Sequence, residues 1–324
     1  MKNRLKVNLL LIVAALMACI GCRRAENRVQ VPIEKEKRKA VYHWKTVFEL
    51  DSAETEFLQK HDIGRIYLKM FDVVVEQNFQ SGMQEIVPVA TTRFVSSVPA
   101  GMDVVPVTYI TIEALRAMEG KETEFATLVV ERLLAMCTYN KCGTITELQL
   151  DCDWTSSTKD SYNRLCEEVK KRLKEKGIAL SVTIRLHQLS ESAPPVDRGV
   201  LMVYNTGILT RTETKNSILD INDARPYIKP AEYPIPLACA YPVFGWGVKF
   251  KDGKFVSIVA DKEEIQTDGE HIRRERPTPQ EIFQVKQLVE SKLGKPVNGN
   301  ILYHLDYSQL ENYTDDEISQ ILSF

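Results

Sequence analysis

Segments that read as β-strands and segments that read as α-helices take turns from Val41 to Tyr307, and the strands that run ahead of helices number eight. Such alternation implies a parallel sheet. Eight units in a span of roughly 280 residues suit closure into a barrel, which takes about 250. The sequence therefore predicts an α/β fold, a (β/α)8 (TIM) barrel with an extra β-hairpin. An open doubly wound sheet is the competing arrangement. Neither a GxGxxG stretch nor a Walker loop is present to support nucleotide binding on one.

The chain starts outside this fold. Lys2, Arg4 and Lys6 precede an apolar run from Leu9 to Met17, then Ala18-Cys19-Ile20-Gly21-Cys22. This is the order of a secretory signal peptide. At about 13 residues the run is too short to span a bilayer, which takes about 20. A small residue directly before a cysteine resembles the cleavage box of bacterial lipoproteins. Leu16-Met17-Ala18-Cys19 fits it better than Cys19-Ile20-Gly21-Cys22, so Cys19 is the expected lipidated residue and Cys22 the alternative. That resemblance implies a lipid-anchored (palmitate-bearing) protein of the bacterial cell envelope. Residues 1–22 are thus read as signal peptide with lipobox. Residues 23–40, polar and charged, are read as a tether, and residues 41–324 as a single barrel domain.

Within the domain, Val41–Phe48 reads as a strand and Ser52–Lys60 as a short helix. Arg65–Val75 is a strand, and Glu85–Val98 is strand-like, forming an extra hairpin with the segment after it. Asp103–Ile110 is a strand and Thr123–Met136 a helix, with Phe125, Leu128, Val129, Leu133 and Leu134 at helical spacing. Thr144–Trp154 is a strand, followed by an amphipathic helix over Lys159–Lys176. Strands Ala179–His187 and Gly199–Asn205 come next, then a helical stretch near Asn216–Ala224 and a seventh strand from Pro236. Phe244–Phe250 and Phe255–Val259 flank Lys251-Asp252-Gly253-Lys254, a hairpin by its turn residues. Pro279–Lys292 is a helix and Asn300–Tyr307 the last strand. The basic run His271–Arg276 reads as solvated surface.

Apolar residues make up 44% of the chain, enough for a substantial core, and the formal net charge of −2 gives no reason to expect nucleic acid as a partner. Beyond the signal segment stand Cys137, Cys142, Cys152, Cys166 and Cys239. Cys152 and Cys166 lie on apolar faces and read as core thiols. Cys137 and Cys142 are placed to bridge across a helix-to-strand loop. None shows CxxC spacing and no His lies near in sequence, so neither a metal site nor any other cofactor is expected.

The most informative stretch is Glu147-Leu148-Gln149-Leu150-Asp151-Cys152-Asp153-Trp154-Thr155. Successive side chains of a strand face opposite ways. Leu148, Leu150 and Cys152 therefore share the helix-facing side, and Gln149, Asp151 and Asp153 share the lumen. Other strands sort the same way. Lys69 falls inside with Tyr67 and Phe71, with Asp72 at the strand's end. Ser181, Thr183, Arg185 and His187 share one face. Leu302, His304 and Asp306 oppose Ile301, Tyr303 and Leu305, and Tyr204 and Asn205 end the sixth strand. Polar groups thus gather near the C-terminal ends of several strands, where barrel enzymes place their chemistry. Asp151, Asp153, Asp72 and Asp306 are the candidate acid–base residues. Lys69, Trp154, Arg185, His187, Tyr204, Trp246 and His304 are the candidate ligand contacts, since aromatic rings at a barrel mouth can stack on sugar faces. The competing role for Asp151 is a structural ion pair with Arg185 or Lys69.

Leu150-Asp151-Cys152-Asp153-Trp154 resembles the fourth-strand signature of the chitinase-type, family-18 glycoside hydrolases, D-G-x-D-x-D-W-E. Asp151, Asp153 and Trp154 match. The family's general acid falls on Thr155 and its leading Asp-Gly on Leu148-Gln149. A threonine cannot protonate a glycosidic oxygen, so that mechanism does not carry over. The wider pattern, with Phe71-Asp72-Val73 ending one strand and an Asp-x-Asp pair ending another, resembles a group of bacterial exported barrel proteins distantly related to glycosidases. This leaves two readings. One is a surface lipoprotein that hydrolyses glycans with Asp153 and a carboxylate from another strand, Asp72 or Asp306. The other is a barrel that binds a glycan or a protein without cutting it.

Overall fold

The computed structural model describes residues 38–78, 81–229, 232–265 and 267–323. The segments read from sequence as signal peptide, lipidation site and tether lie, up to residue 37, outside the described residues.

Eight strands form a closed parallel ring: β1 (Lys39–His43), β2 (Ile63–Gln77), β3 (Asp103–Ile110), β4 (Glu147–Asp151), β5 (Ala179–Arg185), β6 (Arg198–Met202), β7 (Leu237–Pro242) and β8 (Asn300–Tyr303). Closure comes from β1, which pairs with β2 on one side and β8 on the other, Ala40 standing opposite Ile301 and Val41 opposite Leu302. The barrel, rather than the open sheet, is the fold. Lys39 and Ala40, assigned to the tether from sequence, are strand residues. The first strand also stops at His43, and Val47–Phe48 pairs instead with Arg93–Phe94. The strand Gln84–Val89 lies antiparallel on the far end of β2, with Asp72 opposite Val89 and Gln77 opposite Gln84. The extra hairpin is thus made with the preceding strand, not with the segment after it.

The helices are α1 (Ser52–Lys60), α2 (Ile112–Ala117), α3 (Glu122–Tyr139), α4 (Lys159–Lys174), α5 (Ile221–Ala224), α6 (Pro279–Leu293), α7 (Tyr307–Leu310) and α8 (Asp315–Leu322). Capping side chains set the starts of most of them, though not of α3 or α4. The Asp51 carboxylate accepts the Glu54 amide at 2.7 Å to open α1. Thr278 and Glu281 form a reciprocal box around Pro279 at the head of α6. In α4, Tyr162, Leu165, Cys166, Val169 and Leu173 recur at helical spacing and are buried, so the helix lies with this stripe on the sheet. The shell is uneven. Among the described residues no helix joins β2 to β3, and β5 is joined to β6 by a single 3-10 turn, Leu186–Ser190.

Two separate cores confirm the alternation of side chains. Leu148, Leu150 and Cys152 belong to the large core between strands and helices, together with Leu165, Cys166 and Val169. Ala40, Tyr42, Tyr67, Val105, Val107, Val200, Met202, Ala238, Ala240 and Ile301 fill the lumen. Tyr42 donates to Gln149 at 2.7 Å and Gln149 to Ser181 at 3.3 Å, so the polar lumen residues satisfy one another. At the closed end Glu147 accepts from Arg198 at 3.1 Å and Arg65 at 3.4 Å.

Phe71 departs from the expected pattern. The ladder between β2 and β3 shifts register between Lys69 and Phe71, a bulge that inserts one residue. Beyond it the faces exchange: Phe71 joins the outer core and Asp72 turns inward. The basic run is also more than solvated surface. Glu270–Glu275 is the third strand of a small antiparallel sheet with Trp246–Lys251 and Lys254–Val259, and Glu275 at its end is fully buried.

Candidate functional site

The open end of the barrel holds a cleft of about 470 Å³ lined by residues from all eight strands or the segments just after them. Its two halves differ in chemistry. Trp44 follows β1, Tyr204 follows β6, Phe244 and Trp246 follow β7, and Tyr303 ends β8. These five rings form a continuous arc: Trp44 to Tyr303 at 5.9 Å between centroids, Tyr303 stacked on Tyr204 at 4.7 Å, Tyr204 edge-on to Phe244 at 5.9 Å, and Phe244 to Trp246 at 5.3 Å. The facing half, from β2 to β5, carries Lys69, Asp72, Tyr109, Asp151, Asp153 and Arg185.

Strand register sets the polar half. Asp72 stands opposite Tyr109, and Tyr109 opposite Asp151. Asp151 is buried and accepts from the Thr183 hydroxyl and from Arg185 at 2.9 Å. Arg185 Nε donates to Asp153 as well, and its guanidinium lies 5.9 Å from the Tyr204 ring centre. Burial pushes the Asp151 carboxyl above the usual range, against the pull of the Arg185 charge. Asp153, with 41% of its side chain exposed, sits nearer the mouth. On β2, Lys69 donates to Asp72 at 2.7 Å and lies 5.7 Å from the Trp44 ring centre. Burial also raises Tyr204, to about 12, and lowers the His304 imidazole below its ordinary value.

Of the residues singled out from sequence, Lys69, Asp72, Asp151, Asp153, Arg185, Tyr204, Trp246 and His304 line this cleft. Three do not. Trp154 is buried beneath α4, stacked on Tyr162 at 6.0 Å, because the chain turns away from the lumen once β4 ends at Asp151. His187 is exposed on the 3-10 turn, since β5 ends at Arg185 and the alternation stops there. Asp306 caps α7, accepting the Ser308 amide at 3.2 Å, and lies outside the lining. The arc residues Trp44, Phe244 and Tyr303 belong to the cleft without having been put forward as contacts. Two supporting residues also escaped the sequence. Glu275 accepts the Trp246 indole N–H at 2.9 Å and the Ser217 amide at 2.9 Å, while Arg273 donates to its other oxygen at 2.6 Å. Gln188 accepts the Arg185 amide at 2.8 Å and donates to the Trp154 carbonyl at 2.9 Å, tying the segment after β4 to the end of β5.

The structure is similar to a chitinase from Chromobacterium violaceum, with TM-score 0.51 and 12% identity over 89% of this chain and 98% of that one. It is similar to the spore cortex-lytic enzyme SleL of Bacillus megaterium, with TM-score 0.53 and 14% identity over 85% and 73% of the two chains. It is similar to the family-18 chitinase ChiB of Flavobacterium johnsoniae, with TM-score 0.53 and 12% identity over 89% and 94%. The barrel is built like theirs. At this identity the likeness is one of fold, and function must be argued from the site. No protein-family model and no curated protein matches the chain.

Proposed function

We propose that this protein is a glycoside-hydrolase-like barrel of the bacterial cell envelope that seats a glycan in its open end and holds it without cutting it. The observation that carries the reading is the two-sided cleft: an arc of five aromatic rings faces a wall of ion-paired polar groups. A pyranose ring presents an apolar face to stack on such rings and equatorial hydroxyls to meet such a wall. The two-carboxyl route to cleavage needs one carboxyl free to protonate the leaving oxygen and a second to act as base or nucleophile. Here Asp151 and Asp153 are both tied to Arg185, and Asp72 to Lys69. Thr155 stands where the family-18 resemblance would put the acid, with its hydroxyl 3.0 Å from that of Ser157. Cleavage directly before Cys19, with lipid on that cysteine, would hold the barrel at a membrane.

Hydrolysis is the second reading, favoured by one observation. Asp151 and Asp153 stand in different environments, one buried with a raised pKa and one at the mouth, a division that can separate acid from base. The test is calorimetric titration of the chain lacking residues 1–22 with chitooligosaccharides and peptidoglycan fragments, alongside mass spectrometry of the mixtures. Saturable binding with no shortened products is the expected result. Products that disappear in Asp153→Asn would move the protein to the second reading, and no binding across the panel would remove the glycan assignment.

A further inference from the structure

Cys137 and Cys142 are set against each other by the way α3 ends. The helix closes at Tyr139, Asn140 follows, and Lys141 takes a left-handed conformation at φ 54°. The Cys142 amide donates to the Cys137 carbonyl at 2.9 Å, and the Lys141 amide to that of Thr138 at 3.3 Å. This pair of bonds is the Schellman closure, in which the side chain third from the helix end meets the side chain two residues past the cap. Apolar groups usually make that contact. Here two thiols make it, within hydrogen-bonding reach of each other and both buried.

We propose that Cys137 and Cys142 are joined by a disulfide in the exported protein, a covalent staple across the C-terminal turn of α3. The proposal rests on the export reading but not on the glycan reading. The closure brings the two backbones within one hydrogen bond of each other, the close approach a disulfide requires. One thiolate of the pair, written here as that of Cys142, attacks one sulfur of a disulfide oxidant, a dithiol oxidase or a low-molecular-weight disulfide, and expels the other as a thiolate. The Cys137 thiolate then attacks the mixed disulfide and releases the oxidant's second sulfur. Two electrons pass to the oxidant, which leaves as a dithiol if its two sulfurs share one molecule and as two thiols if they do not. The two protons lost by the cysteines go to the released thiolates. The exchange takes place while the end of α3 is still open, because in the folded chain both sulfurs are covered. The same burial then shields the bond from reductant.

The test is made on protein exported through its own signal, with free thiols alkylated before lysis. Cleavage after Lys141 should leave the peptide bearing Cys137 attached to the one bearing Cys142, and fragmentation separates Cys142 from Cys152 on that second peptide. Denatured exported protein should show two fewer free thiols than the reduced protein. A six-residue loop is short, so reduction should lower the thermal midpoint by about 5 °C. The Cys137→Ala/Cys142→Ala double variant should show no such response to reductant. Alkylation of both Cys137 and Cys142 in the trapped protein would overturn the proposal, as would a linkage of either one to another cysteine.

Discussion

Lys69 and Asp72 lie three residues apart on one strand yet point into the same cleft, 2.7 Å from each other. Strict alternation would set them on opposite faces. The bulge after Lys69 adds one residue and returns Asp72 to the lumen. Asp72→Ala would leave a largely buried ammonium against Trp44 without its counter-ion. Unfolding in denaturant should then lose about 2 kcal/mol, less than for a fully enclosed pair because both groups touch solvent. Affinity for a bound glycan should fall with it. A variant as stable as the parent would show that Lys69 finds its stabilisation elsewhere.

Glu275 acts on the cleft through Trp246. It holds the indole by one hydrogen bond and is itself held by Ser217 and Arg273. Trp246→Ala should weaken glycan binding about tenfold, or about 1.4 kcal/mol, by removing one end of the aromatic arc. Glu275→Ala should weaken it too, although the carboxylate stands behind the ring. It should also cost roughly 2–4 kcal/mol of stability, because it strands buried donors. Titration calorimetry and denaturant unfolding on both variants separate these effects. Unchanged affinity in Glu275→Ala would sever the link to Trp246.

His43 should make the fold acid-sensitive. Its ring is buried, neither nitrogen has a partner among the described residues, and burial with the nearby Lys45 charge lowers its pKa from 6.5 to about 3. The folded state therefore binds fewer protons than the unfolded state below the ordinary pKa. The stability held by this group is complete above pH 6.5 and is lost as pH falls from there toward 3, by about 1.4 kcal/mol per pH unit. Burial shifts His304 in the same direction. Thermal midpoints measured from pH 7 to pH 4 should fall steadily for the parent and less steeply for His43→Phe, which has nothing to titrate there. Parallel curves would rule out His43 as the source.

Cys19 is the expected lipid acceptor. Palmitate labelling in a bacterial host should mark the parent and Cys22→Ser but not Cys19→Ser, and Cys19→Ser should collect in the soluble fraction. Label retained in Cys19→Ser and lost in Cys22→Ser would shift the assignment to Cys22.

The sequence by itself determined the eight strands and the inward face of β4, because both arise from local periodicity, while closure into a ring came from the pairing of β1 with β2 and β8. Leu148, Leu150 and Cys152 need burial against helices, and that leaves Asp151 only the lumen. The positions of Lys69, Arg185 and Tyr204 were legible for the same reason. Tertiary structure alone decided where periodicity stops. The bulge in β2 turned Phe71 outward, and the ends of β4 and β5 carried Trp154 and His187 away from the cleft. An α7 cap claimed Asp306. The aromatic arc and the hold of Glu275 on Trp246 join residues far apart in the chain, and no local pattern encodes which distant ring or carboxylate a side chain will meet when the barrel closes.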